Sequence, residues 1–267
     1  MGFSGSRAVS TPARLLLRTL LPSFIADLMW PEHQKKPGWR SHPTSYLDGL
    51  RGIASFIVFF CHYTEENHRY MVPSYGLNPD GQASSLLQLP FLRIFFSGRP
   101  MVHVFFVISG FVLSHKPLRA LHSGGNNLER CAAALSSSAF RRPFRLFGPC
   151  AVETLIIAAF CQLGWLHKPL PALSTQLWVW EDVMFHSITW PWAWDADLRP
   201  GYDVHLWTIP IEFAHSMLLF LVILLLARVK FRVRQVATIG LMVYCLCCGK
   251  WAAFEFLGGM WLAEMRI

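Results

Sequence analysis

Apolar runs of helix length recur along this chain, separated by short polar, basic or proline-bearing stretches. Six of them, near 46 to 63, 101 to 114, 147 to 166, 205 to 227, 236 to 249 and 251 to 265, approach the roughly 20 residues that carry a helix across a bilayer. The second, fifth and sixth are short enough for a re-entrant, tilted or buried helix, so the pattern predicts about six transmembrane helices, within a range of five to seven. The expected fold class is all-α, a polytopic integral membrane helical bundle.

The first run is polar along one stripe. Asp48, Ser55 and His62 recur at heptad spacing, and Arg51 lies eleven residues before His62, about 20° away around a helix and roughly 16 Å along it. The other face carries Ile53, Phe56, Ile57 and Phe60, suited to lipid or to packing. An arginine at mid-membrane costs roughly 2.5 to 3.5 kcal/mol on insertion scales, so intramembrane charges face a protein interior or a watery cavity. Gly49 and Gly52 in the same run are expected to permit close helix approach.

Composition agrees with a membrane chain. Apolar residues make up 53% and charged ones 15%, against about 25% charged in ordinary soluble domains. The net charge of +8 is unevenly spread. Arg7, Arg14, Arg18, Lys35, Lys36 and Arg40 precede the first run; Lys116, Arg119, Arg130, Arg141, Arg142 and Arg145 separate the second from the third; Arg228, Lys230, Arg232 and Arg234 separate the fourth from the fifth. Only Arg69, Arg93 and Arg99, and then Lys168 and Arg199, stand in the segments between. The excess of basic residues on cytoplasmic loops then places the N-terminus, the 115 to 146 loop and the 228 to 235 loop in the cytosol, and the tryptophan-rich 167 to 204 loop on the opposite side. Basicity here reports topology and contact with anionic lipid, not a nucleic-acid partner.

The stretch Ala13 to Trp30 sets Arg14 and Arg18 beside apolar residues and stops at Pro31, which reads as an interfacial amphipathic helix, with a mitochondrial presequence as the alternative. Pro31 to Pro43 is then a linker. Residues 1–45 form a cytosolic N-terminal region and residues 46–267 a membrane domain. Seven cysteines, most of them in apolar runs, read as buried structural thiols; their spacing fits neither a zinc ribbon nor a thioredoxin motif, and neither a disulfide framework nor a metal site is expected.

Four motifs follow one another over much of the chain. Leu47-Asp48-Gly49-Leu50-Arg51-Gly52-Ile53-Ala54, ending in His62, resembles the opening signature of the acyltransferase 3 family of integral membrane acyltransferases. Phe105-Phe106-Val107-Ile108-Ser109-Gly110-Phe111-Val112-Leu113-Ser114 resembles its second signature, and Arg141-Arg142-Pro143-Phe144-Arg145-Leu146 its basic third. Trp207-Thr208-Ile209-Pro210-Ile211-Glu212-Phe213 is similar to its later tryptophan-to-glutamate motif in the form seen in fungal members. Ala214-His215-Ser216 departs from the arginine-glycine-serine run expected next. The resemblance implies transfer of an acyl group, commonly acetyl from acetyl-CoA, to a hydroxyl of a sugar, lipid or small metabolite, with acyl-CoA as co-substrate and no tightly bound cofactor. It also implies more helices than this chain offers, so the chain is expected to be the N-terminal half to two-thirds of a member, truncated or minimal. The alternative is a catalytically inactive or transporter-like remnant of the family, since intramembrane acid, arginine and histidine also suit a substrate or proton path.

Site residues follow from chemistry and resemblance together. His62 could accept a proton from an attacking hydroxyl. Arg51 suits CoA phosphate or the charge of a tetrahedral intermediate, and Asp48, three residues away on a helix surface, would orient it. Glu212 lies beside Pro210, which is expected to kink the helix and free polar groups into a cavity wall. Arg141, Arg142 and Arg145 suit CoA phosphates, or mark the cytosolic side. Lys116 and Arg119 carry the same ambiguity. Ser109 and Gly110 supply a small packing face. His103 and His205 are flanking candidates near span ends that read as interfacial, with a catalytic role as the alternative, and Trp178, Trp180, Trp190, Trp192 and Trp194 read as an interface belt or an acceptor-stacking cluster. The expected home is an endomembrane or the plasma membrane; the acceptor and the oligomeric state are open.

Overall fold

The structure, a computed structural model, describes residues 44–78, 83–123, 127–166, 169–189 and 201–267. The chain divides into two units, Met1–Asp48 and Gly49–Ile267. Of the first, only residues 44–48 are described, so the amphipathic helix and linker expected before Pro43 lie outside the described residues.

Helices account for the regular structure among the described residues. The long ones are α1 (Ser45–Asn67), α2 (Gly98–His122), α3 (Asn127–Gln162), α4 (Leu173–Val183), α5 (Thr208–Leu226), α6 (Phe231–Cys247) and α7 (Trp251–Met265), and short helical turns between Arg69 and Phe96 join α1 to α2. Each of the six apolar runs is therefore a helix. By length and composition, Gly98–His122, Asn127–Gln162 and Val204–Leu226 are long and apolar enough to cross a membrane.

Helix ends differ from the apolar boundaries because charge ends a hydrophobic run without ending a helix. The 115 to 146 segment, expected as a loop, is almost wholly helical: α2 continues through Pro117 and α3 begins at Asn127. A proline deletes one backbone bond, and the surrounding turns carry the helix through it. With 36 residues, α3 is roughly 54 Å long, well beyond a hydrocarbon core of about 30 Å. Arg141, Arg142 and Arg145 thus stand inside a continuous helix. Likewise α6 begins at Phe231, so Arg234 is not a loop charge: it is buried, with its guanidinium on Glu264 of α7, and Gln235 Nε2 donates to the second Glu264 oxygen at 2.7 Å.

The closest packing joins α2 to α7. A Cβ at Gly110 would collide with the Phe256 carbonyl, and one at Gly259 with the Val107 carbonyl and the Phe111 amide, so both positions demand glycine for backbone approach. Phe106 lies flat on Trp251 at 5.6 Å and against Phe256 at 5.5 Å, closing the same seam. The small face predicted at Ser109 and Gly110 is thus a helix contact. Gly49 and Gly52 are not: a Cβ at either meets nothing within 4 Å, because both sit on the exposed side of α1.

The 167 to 204 segment contains α4, which runs into a π-helical turn at Met184–Ile188. Cys150, Met184, Ile188 and Leu206 form a buried cluster there, with Phe147, Trp180 and Ile209 packed on it. Trp180 Nε1 donates to Thr154 Oγ1 at 3.0 Å, while Trp178 is exposed; Trp190, Trp192 and Trp194 lie outside the described residues. All seven cysteines are free, and Cys247 and Cys248 are exposed rather than buried, at the end of α6 where the apolar run outlasts the packing.

Candidate active site

Two adjoining cavities of about 620 and 670 Å³ share His62, Glu65, Arg99, Val102, His205 and Trp207 as walls. One reaches Arg51, Ser109, Thr208 and Glu212, and the other His103, Val204 and Trp251. Arg51 and His62 therefore wall the same space along about three turns of α1, as their small angular separation requires.

The predicted stripe splits at that wall. Ala54, Ile57, Cys61 and Thr64 form the buried face of α1, and Arg51, Val58 and His62 lie along its edge. Ser55 and Asp48 fall further around, and both are exposed. Asp48 belongs to the first unit, whereas the cavity residues belong to the second.

His62 has a partner that the apolar run did not include. Helix α1 continues four residues past Tyr63, which brings Glu65 one turn above His62, and Glu65 Oε2 stands 3.1 Å from His62 Nδ1. An ionised carboxylate only accepts, so the proton sits on Nδ1 and the Nε2 lone pair is left free. Cys61 Sγ donates to the other Glu65 oxygen at 3.5 Å.

Facing this group is His205, whose ring centroid lies 3.8 Å from that of His62. Its position follows from its neighbours in the chain. Leu206 is buried in the Cys150 and Met184 cluster, and Asp203 caps the short helical turn at Val204–Trp207, accepting from the His205 backbone N–H at 2.8 Å. The same Asp203 oxygen accepts from His205 Nδ1 at 2.6 Å. His103, also read as interfacial, pairs with Glu255 of α7 across the seam and stacks edge-on against Trp251 at 5.2 Å.

At the other end, Arg142 Nη2 donates to Glu212 Oε1 at 2.6 Å and Arg142 Nε to Ser216 Oγ at 3.1 Å. Ser109 Oγ donates to the same Glu212 oxygen at 3.0 Å. Arg51 and Arg145 lie close enough for their charges to oppose that of Arg142, which Glu212 offsets. Pro210 produces no kink at this point. It occupies the first turn of α5, where a backbone N–H has no helical acceptor, so its loss is harmless. The basic trio is therefore divided: Arg142 turns inward, while Arg141 and Arg145 are exposed, with Arg141 Nε donating to the Ser137 carbonyl at 3.0 Å. His215 is buried, its Nδ1 2.7 Å from the Ile211 carbonyl, and it is Ser216 beside it that meets Arg142.

The structure thus unites Arg51, His62 and Glu212 around one space, and adds Glu65, Asp203, His205 and Arg99. Glu65 was legible as the third residue after His62 on a helix; nothing in the sequence pairs Asp203 and His205 with His62.

Comparison with known proteins identifies the family. An acyltransferase domain, that of the acyltransferase 3 family, matches residues 44–266. An O-acetyltransferase of Phomopsis amygdali is 33% identical over 251 residues, which cover 85% of this chain and 49% of the relative. Acyltransferases of a Phoma species and of Cochliobolus lunatus are each 25% identical, across 84% and 86% of this chain and 58% and 60% of their own lengths. The chain therefore spans about half to three-fifths of the length of these relatives. No solved structure matches. With the family match running from residue 44 to residue 266, the chain belongs to the acyltransferase 3 family.

Proposed function

We propose that this chain carries the reaction centre of a membrane O-acyltransferase that moves an acetyl group from acetyl-CoA to a hydroxyl of a sugar, lipid or small metabolite. The observation that carries the reading is the cavity in which Arg51, His62 and Glu212 meet, with His62 Nδ1 on Glu65. In the reaction, His62 Nε2 takes the proton of the acceptor hydroxyl while Glu65 stabilises the imidazolium. The hydroxyl oxygen attacks the thioester carbonyl carbon beside His62, while Arg51, roughly 16 Å away along α1, holds a CoA phosphate at the other end of the cavity. Collapse breaks the C–S bond, and the CoA thiolate leaves with the proton held by His62.

Glu212 and Arg142 act as the frame of the cationic end, so that Arg51 stays turned toward the cavity. Exposed Arg141 and Arg145 suit the CoA phosphates. Asp48 orients the start of α1 rather than the reacting groups. The charge alternation along the sequence supports a cytosolic N-terminus and donor entry from the cytosol. The acetyl donor is favoured by the O-acetyltransferase of Phomopsis amygdali. The 25%-identical acyltransferases are compatible with other acyl groups.

The test is release of CoA thiol, and acetylated product, by the purified chain with acetyl-CoA and a panel of hydroxylated acceptors. His62→Ala and Arg51→Lys are expected to abolish release above background while keeping the parent's elution profile. Turnover unaltered in both variants would sink the assignment.

A further inference from the structure

We propose that Cys61, His62, Glu65 and His205 form an inhibitory zinc site built over the reaction centre. One ligand atom each from Cys61, His62 and Glu65 can be chosen so that all lie within 4.8 Å of one another. Cys61 Sγ stands 3.5 Å from one Glu65 oxygen and His62 Nδ1 3.1 Å from the other. Ligand atoms around a tetrahedral zinc, with bonds of about 2.0 to 2.3 Å, lie about 3.3 to 3.7 Å apart, so side chains now within 4.8 Å of one another need draw in by about 1 Å at most to form a coordination shell. Cys61 and Glu65 share the four-residue helix spacing that puts two ligands on one metal.

Three residues of one helix face would by themselves be ordinary side-chain pairs. The fourth ligand comes from across the cleft. His205 faces His62 at a ring separation of 3.8 Å, and its Nδ1 is already committed to Asp203 at 2.6 Å. That leaves Nε2 for a metal, with the carboxylate behind the imidazole that ligating histidines commonly have. A thiolate, two imidazoles and a carboxylate match zinc and not magnesium or calcium, which prefer all-oxygen shells. The sequence signal, Cys-His-x-x-Glu, is distinct from zinc-ribbon spacing and acquires its fourth member only in the folded chain.

Binding releases the Cys61 thiol proton to solvent and places zinc on His62 Nδ1, so the imidazole proton moves to Nε2. The group that accepts the hydroxyl proton is then lost, and Glu65 is turned from imidazole to metal. The inhibition rests on the reading of His62 as the base; the binding itself does not.

The test is a cobalt(II) titration of the purified full chain carrying Cys247→Ser and Cys248→Ser, which removes the exposed thiols. A thiolate-to-cobalt absorption band is expected, displaced by zinc, and absent in Cys61→Ser. His205→Ala, an exposed position with little folding cost, is expected to lose affinity by more than the about 10- to 100-fold typical of an outer-shell partner. In the transfer assay, zinc is expected to inhibit with the midpoint of its binding curve, and a chelator to restore the rate. No thiolate band, or unchanged metal binding in His205→Ala, would overturn the site. A cobalt–thiolate band in a protein without transfer activity supports the site and removes only the acyl-transfer reading.

Discussion

Arg142 and Glu212 are 70 positions apart in the chain, yet Arg142 Nη2 donates to Glu212 Oε1 at 2.6 Å, with side chains only 14% and 19% exposed. Ser109 and Ser216 complete the shell, so α2, α3 and α5 are tied together at one carboxylate. A buried pair of this kind contributes little over an apolar replacement, but loss of one partner strands a charge and costs about 3 to 5 kcal/mol.

Glu212→Ala is accordingly expected to lower the thermal unfolding temperature of the detergent-solubilised protein by an amount corresponding to about 3 kcal/mol. Arg142→Met combined with Glu212→Leu should recover most of that loss without recovering acyl transfer. Unfolding of Glu212→Ala at the parent's temperature would remove the pair from the stability account.

The contact between Glu65 and His62 makes a graded prediction. His62→Ala should slow transfer by about 10²- to 10⁴-fold, the usual worth of a positioned base. Glu65→Gln keeps an acceptor oxygen for Nδ1 but loses the charge that stabilises the imidazolium, so its loss should be smaller than that of Glu65→Ala. Initial rates of CoA release at saturating donor measure the order; a Glu65→Ala enzyme as fast as the parent would show that Glu65 orients nothing that matters.

Division of the arginine trio separates binding from folding. Arg141→Ala and Arg145→Ala, both at exposed positions, should each raise the KM for acetyl-CoA by up to about 10-fold, with kcat and unfolding temperature nearly unchanged, in line with about 1.5 kcal/mol for a hydrogen bond to a charged group. The effect should shrink as salt is raised, because exposed charges are screened. A KM that does not move in the double variant would assign these two residues to topology alone.

Backbone approach of α2 and α7 can be probed one methyl at a time. Gly110→Ala and Gly259→Ala should each destabilise by about 1 to 3 kcal/mol, the range for overpacking. Gly49→Ala and Gly52→Ala meet open space and should be neutral or slightly stabilising, since alanine is the better helix former by about 1 kcal/mol. Thermal unfolding of the four variants side by side tests the seam; equal behaviour of both pairs would contradict it.

Local pattern went far in this chain. Hydrophobic run length located six of the seven long helices between Ser45 and Met265, all but α4, and the residue types at 51, 62 and 212 pointed to side chains that line one cavity. Boundaries went astray where polarity changed inside a continuous helix, as at Glu65 in α1 and from Asn127 to Arg145 in α3. The glycines illustrate the other limit. Gly52 and Gly110 sit in similar apolar surroundings in the sequence, and only the position of Phe256 makes one indispensable and the other free.

What the sequence by itself determined was therefore what lies along a single helix: its presence, its apolar face, and the edge that Arg51 and His62 share three turns apart. Tertiary structure alone decided that Arg142 turns inward to Glu212 while Arg141 and Arg145 stay out, that Arg234 meets Glu264, and that His205, held by Asp203, faces His62. The physical reason is that helix periodicity fixes directions around one axis, whereas a site between helices depends on which axes cross and how closely. Here that crossing is set by two glycines and the aromatic rings packed beside them.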